Sequence, residues 1–413
     1  MRNVDVVVVG AGQAGLATSY HLSRHGIEHV VLDRGRVAES WRTRRWDSFA
    51  LNGPNWTFIL PDYEYDGPDP DAFMLRDELV ARFSDYATHI KAPVEEGVEV
   101  ARVTRDEISG RYHLTTSRGA ISARAVVAAT GPYQRRNRPR NGLDPNIAQL
   151  NTDEFRNSAA LPAGGVLVVG SGQSGCQIAE DLRAAGRGVW LATGTCGWIP
   201  RRYRGRDNVA WRWDMGMFDD SVERLGHALR LACPPIQTGV DGGRDMNLTT
   251  MRARGITLMG RFLSADSYTV MLGDYLESNA TGSDSAALAI RKRIDDFIAE
   301  RGIDAPPPEP FEPASGFGGA PTTLDLRTLG INTVIWATGF ALDFSWIDLD
   351  LEPVDGYPAQ TQGVSRHRGL YFMGLQLMHT RKSGLIFGVG EDAAHISGLI
   401  VEQLGGHVRA VDA

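Results

Sequence analysis

Six glycines carry the first chemical signal in this chain. Gly10, Gly12 and Gly15 form G-x-G-x-x-G, and Gly170, Gly172 and Gly175 repeat it 160 positions later. In this spacing the first glycine permits a tight turn, the second lets backbone approach a pyrophosphate, and the third lets a helix pack on a strand. The helix that follows offers unpaired N–H groups and the positive end of its dipole to phosphate oxygens. The chemistry implied is dinucleotide binding, done twice. Two dinucleotides in one protein imply that a hydride passes from one to the other.

The elements around the glycines are those needed to position them. "VVVV" (6–9) is a β-branched run suited to a parallel strand buried on both faces. "LATSYHLSRHG" keeps helical periodicity up to Gly26, and the next apolar strand, "HVVLDR", carries Asp33 at its end. Asp33 lies 18 residues beyond Gly15, where a carboxylate accepts ribose hydroxyls. The second unit, "VLVVG", "CQIAEDLRAAG" and "VWLAT", ends its second strand at Thr193 without an acid. An acid there repels a 2′-phosphate, so its absence leaves room for NADP. The nearest basic cluster is "IPRRYRGRD", with Arg201, Arg202, Arg204 and Arg206. Planar guanidinium groups suit a phosphate; a solvated loop, or pairing with acids elsewhere, explains the cluster equally well. The expectation is FAD on one unit and NADPH or NADH on the other, NADPH preferred. Two further strands, "ARAVVAATGPY" (123–133) and "NTVIWATGFALDF" (332–344), each run into Ala-Thr-Gly, small residues that let the chain cross close to a cofactor.

In this order the motifs resemble the flavin-containing (class B) monooxygenases, over most of the chain. "ESWRTRRWDSFALNGPNWTFILP" (39–61) is similar to the stretch that lies along the flavin in that family, and "GLYFMGLQLMHTRKSGLIFGVGEDAAHISGLI" (369–400) to its closing strand and helix. One signature departs: in "GLDPNIAQLNTDEF", Asn151 stands where the family carries histidine, with Phe155 closing the motif. The resemblance implies an α/β fold of two Rossmann-like dinucleotide-binding domains, the FAD domain discontinuous and the NAD(P) domain inserted. The expected divisions are 1–160 for the first FAD segment, 161–325 for the NAD(P) domain and 326–413 for the second FAD segment. The residues assigned to the cofactor cradles are Gly10, Gly12, Gln13, Ala14, Gly15, Asp33, Arg34, Trp41, Arg42, Thr130, Gly131 and Gly374, then Gly170, Ser171, Gly172, Gln173, Ser174, Gly175, Thr193, Arg201, Arg202, Ala337, Thr338 and Gly339.

The resemblance further implies a flavin C4a-hydroperoxide that oxygenates nitrogen, sulfur or a ketone, and an asparagine that contacts both nicotinamide and the flavin peroxide. Asn52 in "FALNGPNW" is the catalytic candidate and Asn55 the second choice, since an amide both donates and accepts. Stabilising the Asn-Gly-Pro turn is an alternative role for Asn52. Trp41 and Trp56 are candidate walls of the flavin pocket.

Composition sets the remaining bounds. At 413 residues the chain suits two or three domains. The net charge of −7 argues against nucleic acid or anionic membrane as the main partner. The three cysteines, Cys176, Cys196 and Cys233, form no C-x-x-C pair and no metal spacing. Such a sparse set fits a reducing cytoplasm, implies no disulfide framework, and is too scattered for the cysteine pair a disulfide reductase needs. No apolar run approaches the roughly 20 residues of a membrane helix. Metal binding is not expected, a small-molecule substrate and O2 are the expected partners, and a homodimer is the candidate assembly. "RDNVAWRWDMGMFDDSVERLGHALRLACPP" (206–235) reads as an amphipathic helix pair or a channel cover, 287–304 as a helix ended by Gly302, 305–321 as a linker, and Lys382–Ser383 as a phosphate contact or a surface turn. A flavin reductase or oxidase without oxygen transfer, and a redox sensor, are the competing functions.

Overall fold

A run of valines has no polar face to offer water, so the strand that contains it belongs in the interior of a sheet. The computed structural model, which describes residues 1–405, places Arg2–Val9 there, with Val6, Val7 and Val8 fully buried. Its parallel neighbours are His29–Asp33 and Gly119–Ala128. The sheet has nine strands and includes Leu370–Phe372, parallel to Gly119–Ala128, so the two ends of the chain build one unit. Helix Gln13–Arg24 packs on this sheet beside helix Val389–Gln403, which closes the unit.

The second unit is a five-stranded parallel sheet in the order Ala148–Asn151, Ile331–Trp336, Gly165–Val169, Val189–Ala192, Thr257–Met259. Alternation along its central strand decides what each face meets. Val166 and Val168 pack with Cys176, Ile178 and Leu182 of helix Gln173–Ala184. Leu167 and Val169 instead meet a four-stranded sheet through Ala265, Val270 and Leu324.

The inserted organisation is therefore as expected, with shifted boundaries. Ala148–Asn151 and Ile331–Trp336 fall outside the expected 161–325 division, yet both hydrogen-bond into the second sheet. Ile331–Trp336 pairs with Gly165–Val169 on one side, Ala148–Asn151 pairs with Ile331–Trp336 at the sheet edge, and Val189–Ala192 lies on the other side. The first unit resumes after the second Ala-Thr-Gly, and the last eight residues of the expected 326–413 segment lie outside the described residues. The helix expected at 287–304 begins earlier, as Leu276–Arg301, and Gly302 does end it in the left-handed conformation at φ +61°. The segment 206–235 is no helix pair. It is a chain of short helices, α-helical at Asn208–Asp214 and Val222–Leu225 and 3-10 at Met217–Asp219 and His227–Leu231.

Candidate functional site: two glycine turns and their interface

The two glycine turns are built alike. Gly10 and Gly170 take φ of +112° and +109°, a region hostile to side chains. A Cβ on Gly10 would collide with the Ala129 carbonyl, and one on Gly170 with that of Ala337. The two Ala-Thr-Gly stretches thus back the two turns, one each, tied by Ala129 N–H to Val9 O at 2.9 Å and Ala337 N–H to Val169 O at 2.8 Å. Gly131 and Gly339 follow at φ +72° and +81°. Thr130 accepts from Gln134 Nε2 at 2.8 Å, and Thr338 donates to the Asn137 carbonyl. Gly15 and Gly175 sit against Gly10 O and Gly170 O, too close for any side chain.

Helix ends normally find caps for their orphaned N–H groups. Helices Gln13–Arg24 and Gln173–Ala184 begin after Gly12 and Gly172, with no side-chain cap and no acid in the first turn. At the first turn those donors are left for an anion, while at the second the Cys233 sulfur lies 3.2 Å from where a Cβ on Gly172 would stand. At Gly12 no atom of the described residues lies within 4 Å of the position a Cβ would take, so the cradle is open to a pyrophosphate. Asp33 stands at the edge of this cradle. Its Oδ2 accepts from Ala11 N–H and its Oδ1 from Gly35 N–H, both at 2.8 Å, fixing the carboxylate at the strand end. Arg34 points to the exposed side.

Around the first turn, Trp41 Nε1 donates to Gln13 Oε1 at 3.0 Å, and Gln13 Nε2 to the Gly384 carbonyl at 3.0 Å. Gly374, at φ +74°, leaves no room for a side chain beside Ala14. Among the described residues the Arg42 Nε is buried without a hydrogen-bond partner. Glycine turn, the 39–43 helix and the closing segment therefore converge, and these residues fit a flavin dinucleotide. Trp56 instead joins Trp213 at 5.3 Å, and Trp213 meets Phe387 at 5.4 Å, an aromatic wall between the 206–235 segment and the first unit.

The segment 46–52 crosses between units. Trp46 and Phe49 pack in the second unit's core. Asn52 Oδ1 accepts from Gln177 Nε2 at 2.8 Å, Gln177 being on the second glycine-turn helix. Among the described residues the Asn52 Nδ2 has no hydrogen-bond partner, and Gln177 Oε1 and Gln237 Nε2 are buried and likewise unpartnered. Gln177 and Gln237 were not among the sequence candidates, since only the fold brings them to Asn52. Asn55 is buried and holds Asp69 O through Nδ2 at 2.9 Å, a loop-fixing role that leaves Asn52 the better placed.

The arginines do something other than expected. Arg201 is buried, 2% exposed, and grips Asp207 at 2.7 and 2.5 Å while donating to Asn52 O at 2.7 Å. Arg202 donates to Gly243 O and Gly242 O, Arg204 pairs with Asp295, and Arg206 with Asp214. The cluster is a set of struts, the alternative its sequence left open, and Arg201 and Arg202 have no free fork for a phosphate. Thr193 is buried too, its hydroxyl donating to Met259 O at 2.8 Å. Ser171 accepts from Gly194 N–H at 2.9 Å and so closes the turn rather than facing outward. Gln173 and Ser174, half-buried, remain at the helix mouth. Asn151 pairs with Glu154 Oε2 through its backbone N–H and its Nδ2, capping the turn before the fully buried Phe155. Lys382 pairs with Asp219 and Glu391, the surface-turn alternative.

The cysteines also depart from expectation. Cys196 and Cys233 bring their sulfurs to 2.7 Å, so the set is not scattered. Among the described residues no group of three metal-ligating side chains exists, and no helix is long and apolar enough to cross a membrane.

With this geometry in hand, comparison with known proteins is informative. Residues 7–208 match the family model described as pyridine nucleotide-disulphide oxidoreductase. The uncharacterized oxidoreductase CzcO-like of Geobacillus kaustophilus is 30% identical over 95% of this chain and 97% of its own length. Indole-3-pyruvate monooxygenase YUCCA1 of Oryza sativa is 30% identical over 43% of this chain and 44% of its own. The solved flavin-containing monooxygenase from Stenotrophomonas maltophilia superposes with a TM-score of 0.64 at 19% identity, covering 98% of this chain and all of that one, which is a likeness of fold.

Proposed function

We propose that this chain, which belongs to the CzcO-like oxidoreductase family, is an FAD-dependent, NAD(P)H-consuming monooxygenase of a small organic molecule. The observation that carries the reading is the doubled turn: two uncapped helix N-termini, each backed by its own Ala-Thr-Gly, joined through Asn52 and Gln177. Bound FAD would supply the redox and oxygen chemistry, the acceptance of a hydride from NAD(P)H and the transfer of one atom of O2 to substrate with the other lost as water. The preferred substrate class is a soft nitrogen or sulfur nucleophile, with a ketone as alternative.

The protein's own part is placement and exclusion of water. Gly12 gives way to the FAD pyrophosphate, the helix N–H groups from Gln13 onward bind its oxygens, and Asp33 accepts from ribose. Arg42 Nε supplies a cationic donor along the same path. Gly172, Gln173 and Ser174 do the same for the pyridine nucleotide. Asn52, its carbonyl held by Gln177, keeps Nδ2 free as a donor at the seam between the two sites. The arginine struts give no reason to prefer NADPH over NADH. The test is to follow NADPH consumption and peroxide release across amines, sulfides and ketones. Product matching NADPH with one substrate class supports the oxygenase. Peroxide accounting for all NADPH with every class leaves an oxidase.

A further inference from the structure

The two glycine turns differ at one place. Over Gly12 the space is open, but over Gly172 the Cys233 sulfur lies 3.2 Å from where a Cβ would stand. Gln173 is the first residue of the helix, and its backbone N–H lowers the thiol of Cys233. Cys233 therefore sits where the second dinucleotide's pyrophosphate would be received. This inference rests on the nucleotide reading of that turn.

Cys233 is exposed and Cys196 is buried directly behind it, 2.7 Å away sulfur to sulfur. A disulfide bond is about 2.05 Å, so closing it needs a shift of only about 0.7 Å. Both flanking segments are already held in register. Ile236 N–H donates to Gly197 O at 2.8 Å, and Gln237 N–H to Gln173 Oε1 at 3.0 Å. The Cys196 thiol and the Gln173 N–H lower the Cys233 thiol to about 7, which favours the reactive thiolate, whereas the Cys233 contact and burial push Cys196 up. Cys176 is fully buried and pushed up, an inert neighbour.

We propose that Cys196 and Cys233 form a peroxide-oxidised disulfide that pins Cys233 over Gly172 and shuts the second glycine turn against its nucleotide. The Cys233 thiolate attacks one oxygen of hydrogen peroxide, giving a sulfenic acid and, with a proton, one water. Cys196 sulfur then attacks the Cys233 sulfur, the S–S bond forms, and the sulfenic oxygen leaves with the Cys196 proton as a second water. Two thiols are oxidised by two electrons and one peroxide is reduced. A small-molecule thiol reverses the bond by exchange. Peroxide released by an enzyme turning over without substrate would serve as this oxidant, so such an enzyme would close its own nucleotide entry.

The test uses the FAD-loaded full chain, treated with hydrogen peroxide or with dithiothreitol. Mass spectrometry should find a loss of 2 Da and a peptide joining Cys196 to Cys233 in the oxidised sample, an expectation independent of any nucleotide. NADPH binding, followed by nicotinamide fluorescence, should be at least tenfold weaker after peroxide and recover with dithiothreitol. Cys196→Ser should bind NADPH alike before and after peroxide. Absence of the linked peptide overturns the disulfide, and equal NADPH affinity in the linked and reduced forms overturns the gate. A reduced protein that binds neither NADPH nor NADH overturns the cofactor reading of this turn and the gate with it.

Discussion

Arg201 and Asp207, six residues apart, close a two-pronged ion pair at 2.7 and 2.5 Å inside the second unit, and the third guanidinium nitrogen reaches Asn52 O in the first. One buried arginine thus fixes a loop and ties it to the inter-unit seam, with its face also 4.8 Å over the Phe73 ring. Removing one partner of a buried pair strands the other charge, at a cost of about 3–5 kcal/mol. Arg201→Ala should therefore lower the unfolding midpoint markedly and raise the Michaelis constants for NADPH and NADH by the same factor. A rise confined to NADPH would return the 2′-phosphate role to this residue.

The open space over Gly12 separates binding from folding. A Cβ there has no atom of the described residues within 4 Å, so Gly12→Leu should fold with a near-normal melting temperature. It fills the cradle, so the protein should lose FAD affinity at least tenfold, about 1.4 kcal/mol, and purify colourless. Gly15→Ala places a Cβ against Gly10 O and should instead compromise folding. Flavin absorbance per chain with a thermal melt reads both. Full flavin in the Gly12 variant would remove the pyrophosphate from this turn.

Acid sensitivity follows from His21 on the first glycine-turn helix. Burial, and then the His25 charge, hold it down at about 4, against about 6.5 for a free histidine. The unfolded chain takes up this proton first as the pH falls through 6.5, so stability is intact above that value and declines toward pH 4. The full loss is roughly 3 kcal/mol. His21→Gln, which does not titrate, should flatten this part of the profile in denaturant melts between pH 7 and pH 5. An unchanged slope would mean another group governs it.

Local pattern made the two turns legible, because Gly10, Gly15, Gly170 and Gly175 answer to backbone sterics that extend over a few residues. The roles of Arg201 and Cys233 were not legible. Whether an arginine meets phosphate or Asp207, and whether Cys233 folds back onto Cys196, 37 residues away in sequence, depends on long-range packing that spacing does not encode. Strands Ala148–Asn151 and Ile331–Trp336 show the same limit, since an apolar run announces a strand but not which sheet it completes. Asn52 was legible as a candidate, while its partner Gln177, 125 positions away, was not.

That partner sharpens the last prediction. With Oδ1 engaged by Gln177 at 2.8 Å, the Asn52 amide is oriented and presents Nδ2 alone at the seam. A preorganised donor of this kind contributes about 3 kcal/mol, roughly a hundredfold in rate. Asn52→Ala should therefore keep FAD and keep its reduction by NADPH, yet release far more peroxide per product formed. Asn52→Asp retains size but replaces the donor with a carboxylate, so it should uncouple as severely as alanine. Gln177→Leu leaves Nδ2 in place and frees its orientation, so it should uncouple in the same direction but less. Paired assays of peroxide and product in the three variants check the order. Coupling unchanged in Asn52→Ala, with only a lowered melting temperature, would reduce Asn52 to a turn-former between Leu51 and Gly53.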